Sequence, residues 1–276
     1  MSGSLLRPYR AILSARFRML LQYRAAALAG LWTQIFFGLV LLMIYEGFYR
    51  STTTRPPIAF AEVVSYIWLG QALLAMLPWN PDAELRAMIR SGAVAYELCR
   101  PIDLYSLWYA RALAWRTAPT ILRAVPMCGF AAAVLPLIGL GEWRLAPPPS
   151  TAAALAFGAT LVCTLLLGCA LTTLINISFL WTVSGDGAVM LLTTLVTFLS
   201  GMIVPLPLFP DWAQPIVQAL PFAGLVDLPF RVFTGHIPPA AAASVLQHQI
   251  LWTIALVLLG RWLLSRGIRQ VVVQGG

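Results

Sequence analysis

The chain has 276 residues, of which 60% are hydrophobic and 10% charged. Soluble domains carry about 25% charged residues, so this composition excludes an ordinary soluble enzyme and points to an integral membrane protein of the all-α class. The net charge of +8 rests on 18 basic residues, all of them Arg; they flank apolar runs, which favours membrane orientation over nucleic-acid binding.

Residues 4–24 form the first expected element. Leu5, Leu6, Tyr9, Ile12, Leu13, Phe17 and Leu20 recur at helical spacing, with Arg7, Arg10 and Arg18 on the opposite face. That pattern predicts an amphipathic helix lying in the membrane surface. Arg16 falls on the apolar face, where its long stem is expected to snorkel to the headgroups. Arg residues interrupt this segment throughout, so no signal peptide is expected.

Six apolar runs follow, near 25–45, 61–79, 118–140, 151–181, 187–205 and 246–265, each about long enough to cross a bilayer as a helix. The fourth lies in a stretch without charge from Leu145 to Gly185, longer than one crossing needs. Either that helix tilts and projects, or its ends are loop. With both termini on one side, that side holds 14 Arg and the other 4 (Arg50, Arg55, Arg144 and Arg231). The positive-inside rule then places both termini and the 80–117 segment in the cytoplasm. Of these Arg, only Arg123 is a candidate for a charge within the membrane, and it is expected at a cytoplasmic helix end, snorkelling outward.

Between the second and third runs stands NPDAELRAMIRSGAVAYELCRP, a charged block in a greasy chain. Asn80 is placed to cap a helix and Pro81 suits its first position. Asp82 and Glu84 favour the positive end of the helix dipole, Arg90 favours the negative end, and Gly92 is placed to stop it. A helix over 81–91 is therefore expected, then a shorter one around 93–99, then a third from about Asp103. A connection this organised reads as a docking surface, in which Leu85, Met88 and Ile89 would fill a cleft on a soluble partner and Arg86 and Arg90 would pair at its rim.

Residues 205–238 are too apolar for an ordinary loop and too broken by Pro for a crossing helix. Short helices are expected over 211–220 and 223–233, with Asp227 and Arg231 four apart as a helix pair. This reads as an external re-entrant or interfacial hairpin, tolerated at membrane depth only where it packs on protein or lines a cavity. Polar side chains punctuate the apolar runs. Gln34, Gln71 and Asn176 are weak candidates for lining a passage, and interhelical hydrogen bonding explains them equally well.

Catalytic motifs are not found. No H-E-x-x-H or G-x-S-x-G occurs, His236 and His248 lack a ligand-spaced acid, and no C-x-x-C is formed, so neither a metal site nor an enzyme is expected. A P-loop requires Lys in G-x-x-x-x-G-K-[ST], and this chain contains no Lys. If ATP drives the protein, a separate chain must carry the nucleotide site.

The order of parts resembles the permease subunits of ABC type-2 exporters, and most of all a bacterial subgroup of about this length. IRSGAVAYELCRPIDLYSLWYARALA resembles the coupling segment of that family. SGMIVPLPLFPDWAQPIVQALPFAGLVDLPFRVFTG, with Pro210, Asp211, Trp212, Pro221, Asp227, Pro229 and Arg231, resembles its external signature before the last span. The resemblance covers essentially the whole of 1–276 as one permease domain. It implies a partner ABC ATPase bearing ATP and Mg, a second permease subunit and a lipid setting in the bacterial inner membrane. It also implies outward movement of a hydrophobic or amphipathic substrate, with Asp82, Glu84, Leu85, Arg86, Met88, Ile89 and Arg90 on the coupling helix. An ion-coupled carrier or a membrane scaffold is the alternative; the lack of an intramembrane proton relay weakens the first.

Overall fold

The computed structural model describes residues 7–22, 24–53, 56–182 and 186–270, and among them every regular element is helical. The principal helices are α1 (Arg7–Leu21), α2 (Arg24–Ser51), α3 (Phe60–Leu73), α4 (Ala83–Arg90), α5 (Ala95–Leu98), α6 (Leu104–Gly129), α7 (Leu135–Leu137), α8 (Thr151–Ser178), α9 (Asp186–Leu199), α10 (Gln214–Ala219), α11 (Asp227–Thr234) and α12 (Ala242–Gly267). Four helical stretches are long and apolar enough to cross a membrane: Leu28–Ser51, Leu104–Leu137, Thr151–Ser178 and Pro239–Gly267. The second and fifth expected runs give shorter apolar helices, Phe60–Met76 and Asp186–Leu199. At 14 residues, α9 spans about 21 Å, less than the ~30 Å hydrocarbon core.

The helix expected from about Asp103 towards the membrane and the span expected from near 118 are one element: α6 runs unbroken from its Asp103 cap to Gly129, with Pro119 and Pro126 inside it. Neighbouring helices hold a Pro-containing helix together where soluble helices would break. A π-helical segment, Phe130–Val134, then carries the chain into α7.

The fourth run resolves towards its second alternative. Ser150 caps α8 by accepting a hydrogen bond from Ala153 N–H at 3.1 Å, and Pro147–Pro149 before it cannot continue a helix. The charge-free sequence from 145 to 150 is thus connection. Gly235, at φ +80°, ends α11 in the left-handed conformation that suits Gly.

α8 packs against α12, α6 and α11; α3 packs on α6 and α2; and α1 lies along α6. The α2–α3 approach is close because Gly38 has no side chain: a Cβ there would stand 2.8 Å from the Trp68 ring. Trp68 is fully buried, meets Phe130 edge-on at 5.8 Å and donates its indole N–H to Trp143 O at 2.7 Å. Such small-residue seats let helices pack by van der Waals contact where lipid removes the usual hydrophobic drive. Trp32, Phe36, Leu137, Leu155 and Met190 lie more than half exposed, an outward face that suits hydrocarbon rather than water.

Candidate functional site

The charged block folds as α4, but with a different cap from the one its sequence suggests. Asp82, not Asn80, is the N-cap: its Oδ1 accepts from Leu85 N–H at 3.1 Å, and the helix begins at Ala83. Asn80 instead presents its carbonyl to Arg116 Nη2 at 2.7 Å. A carboxylate gains more than an amide from the helix N-terminus, and here it has a second task. Gly92, at φ +75°, closes the helix as expected, and α5 follows as a single turn.

That second task is to hold Arg111. This guanidinium lies on α6 and is 6% exposed. Its Nε donates to Asp82 Oδ2 at 2.9 Å, and its Nη2 lies 2.8 Å from the same oxygen. Glu84 Oε2 stands 3.2 Å away and Glu97 Oε1 3.6 Å away. Glu97 is also buried, and its other oxygen accepts the Trp108 indole N–H at 2.9 Å. Burying a guanidinium costs several kcal/mol unless it is paired and hydrogen-bonded, and this arrangement supplies both.

Other helices reach the same short element. Arg16 of α1 donates to Glu84 Oε2 at 2.8 Å. The expectation that Arg16 merely snorkels is therefore corrected: the fold brings a carboxylate to it from 68 residues away. Asn176 of α8 accepts from Asp82 N–H at 3.1 Å through its Oδ1. Arg86 pairs with Asp186 at the start of α9 and lies over the Phe179 ring, 5.3 Å from its centroid. Thus α1, α6, α8 and α9 are all fastened to α4 or its cap.

The two faces of α4 are divided. Leu85 is fully buried, and it clusters with Val94, Leu104, Leu107 and Trp108; Met88 and Ile89 pack against that cluster. The apolar face thus seats on this chain's own helices, not outward as its sequence alone suggests. Ala83, Glu84, Ala87 and Arg90 are the exposed positions.

In the sequence Arg111 counts only towards orientation, Glu97 is one charge of the block without an assigned role, and Trp108 and Asp186 carry no signal. A cation eight residues beyond the Asp103 cap, inside LYSLWYARALAW, was the available sign that it faces protein. Arg123, expected near a helix end, has its guanidinium against Gly30 in the first turns of α2, where a Cβ would come within 2.8 Å.

At the other end, the 205–238 segment folds as short helices packed on the body. Pro221 and Pro229 are buried, while Pro210, Asp211 and Trp212 are exposed. Asp227 is fully buried. Its Oδ1 accepts from Tyr66 OH at 3.0 Å and from Leu206 N–H at 3.1 Å, and Arg231 Nη1 lies 3.5 Å from Oδ2. Asp227 therefore ties α11 to α3 and to the start of the 205–238 segment, beyond the helix pair expected. His236 Nδ1 stands 3.6 Å from Glu62 Oε1 nearby.

Gln34 and Gln71 are buried between helices, and Asn176 is spent on Asp82. Neither amide atom of Gln34 has a hydrogen-bond partner among the described residues. No group of three or more His, Cys, Asp or Glu that could hold a metal occurs among the described residues.

A family model described as "ABC-2 family transporter protein" matches residues 35–275. No curated protein and no solved structure matches the chain.

Proposed function

The chain belongs to the ABC-2 transporter family, whose members are membrane components of ABC transporters, and from that premise we propose that it is the permease of an ATP-driven exporter. An ABC ATPase is its partner. α4 is the helix that docks on that ATPase, and a hydrophobic or amphipathic compound is the substrate. The protein sits in the bacterial inner membrane with both termini cytoplasmic. α3 and α9 complete six membrane-embedded segments with the four long helices, α1 lies in the interface, and residues 205–238 form the external re-entrant hairpin. A second permease subunit completes the pathway.

The observation that carries this reading is the fastening of α4 to four other helices through Asp82, Glu84 and Arg86. A helix pushed by a partner transmits motion only if it is stiffly joined to what must move. Allosteric transmission of this kind needs two states that the partner biases differently. α4 buries its apolar side in its own chain, so the docking surface is the exposed Ala83, Glu84, Ala87 and Arg90. The absence of Lys from the sequence, and with it of a Walker-type phosphate loop, supports the reading that ATP is hydrolysed on another chain.

The test is the change Ala87→Arg, which alters the outward face and leaves Leu85 and the Arg111 cluster untouched. The ATPase should no longer co-purify, while the melting temperature of the permease stays at the wild-type value. Retention of the ATPase together with wild-type transport in vesicles would overturn the assignment of α4. Transport that survives ATP depletion and collapses with an uncoupler would overturn the ATP-driven mechanism.

A further inference from the structure

Two open apolar troughs adjoin beneath α1. One, of about 500 Å³, is lined by Arg10, Leu13, Phe17, Leu113, Thr117 and Leu165. The other, of about 400 Å³, has Tyr9, Tyr105, Tyr109, Ala110, Val257 and Arg261 among its walls. Arg10, Leu13 and Leu113 belong to both. Each trough falls within the size range of small-molecule sites, and their walls are mostly hydrocarbon and aromatic, with Ser14, Thr117 and Ser106 as small polar members, except at the end where the arginines stand.

That end is built for an anion. Arg10 is exposed and makes no ion pair with an acid among the described residues. Arg261 is held in place: its Nη2 donates to Asp103 Oδ2 and to Ser106 Oγ, both at 3.1 Å, and its guanidinium covers the Tyr105 ring at 5.1 Å. The Tyr9 hydroxyl accepts from Asp103 N–H at 2.9 Å, so its own hydrogen remains to be donated. Two guanidinium groups against one carboxylate leave one net positive charge at the mouth. Basic pockets between membrane helices are sites for anionic lipid headgroups.

We infer that this pair of troughs holds one two-chain anionic phospholipid of the bilayer, its monoanionic phosphodiester at Arg10 and Arg261 and one acyl chain in each trough. The single net positive charge matches one phosphodiester, and the two apolar branches meeting at Leu13 match two chains. The lipid is a resident of the fold: it fills the space between α1 and α6 and would stiffen the helix that reaches Glu84 through Arg16. The inference rests on the reading of α1 as an interfacial helix.

The full chain, reconstituted in nanodiscs of equal phosphatidylglycerol and phosphatidylcholine and then re-extracted gently, should retain phosphatidylglycerol preferentially by native mass spectrometry. Arg10→Gln should lower that preference about fivefold with a wild-type melting temperature, since the side chain is exposed and pairs with no acid among the described residues. Leu13→Trp, which obstructs both troughs without removing charge, should lower the count of retained lipids by one whatever the headgroup. Equal retention of the two lipids by the wild type, an undiminished preference in Arg10→Gln, or an unchanged lipid count in Leu13→Trp would each overturn the site. Release of the bound lipid on each ATP turnover would overturn it as a resident and make the lipid cargo. Labelling Ser14→Cys in a chain whose four native Cys are replaced by Ala separates the two readings, since Cys99 is exposed and would itself react. Fast reaction with a water-soluble maleimide alongside an intact lipid preference would remove the interfacial placement and keep the site. Protection from that reagent without a preference would do the reverse.

Discussion

Arg111 Nε donates to Asp82 Oδ2 at 2.9 Å, while the other oxygen of the same carboxylate caps α4 through Leu85 N–H. One side chain thus both starts the helix and joins it to α6. Arg111→Met would leave Asp82 and the buried Glu97 without their cation. Loss of one member of a buried pair costs about 3–5 kcal/mol, so the variant should melt far below wild type and lose coupled ATPase activity. Arg111→Lys should rescue little, since a point charge cannot reproduce the planar fork. A wild-type melting curve for Arg111→Met would remove the brace from the mechanism.

The two tasks of Asp82 can be separated. Asn is about as good an N-cap as Asp, so Asp82→Asn should keep α4 formed while weakening its hold on Arg111. Asp82→Ala loses the cap as well and should be less stable than Asp82→Asn by about 1 kcal/mol. Thermal denaturation of the two variants side by side measures the difference.

Asp103 caps α6 ahead of the apolar stretch Leu104–Leu137 and gives that end of the helix a pH dependence. Burial raises its carboxyl, but hydrogen bonds from Ser106 and the Arg261 guanidinium outweigh that and hold it below the usual carboxylate range. A carboxyl lowered on folding contributes stability that is present above its unfolded pKa, about 3.9, and is lost as pH falls through the folded value. The side chain is about half exposed, so the effect is small and screened by salt. Asp103→Asn should flatten the acid limb of a stability–pH profile, and more so at low ionic strength.

Tyr66→Phe removes a hydroxyl that donates to the fully buried Asp227. Leaving a buried acceptor short of a donor costs about 1–3 kcal/mol. The hairpin should loosen from α3, and proteolysis near the exposed Trp212 should quicken. Unchanged proteolysis would mean that Tyr66 does not hold the hairpin.

Gly235 and Gly139 both adopt positive φ, at +80° and +86°. Only at Gly235 would a Cβ also meet a neighbour, standing 2.8 Å from Pro149 Cγ, whereas Gly139 faces open space. Backbone strain alone costs about 1–3 kcal/mol. Gly235→Ala should exceed Gly139→Ala in the melting-temperature loss, because it adds a clash to the strain.

Much of the fold was legible in the sequence, because lipid imposes a length and a composition that a chain cannot hide. The long helices around Leu28–Ser51, Thr151–Ser178 and Pro239–Gly267 stand close to where apolar runs placed them. Gly92 and Asp103 announced helix ends through local backbone and capping chemistry, which needs no distant partner. The merger of 104–117 with the third span was hidden, since Pro119 and Pro126 look like breaks until neighbouring helices are present.

The candidate site was legible as a helix and illegible as a joint. By itself the sequence determined that the chain is apolar, all-helical and without a Lys-bearing nucleotide loop, and that a short capped helix interrupts it near residue 83. Only the tertiary structure decided which side of that helix faces home. Leu85, Met88 and Ile89 could seat on a partner or on this chain with the same spacing, and Arg111, Glu97, Arg16, Asn176 and Asp186 come from 15 to 104 residues away from Asp82. Periodicity records a helix's own faces; which face is buried depends on charges and surfaces that meet only when distant segments pack.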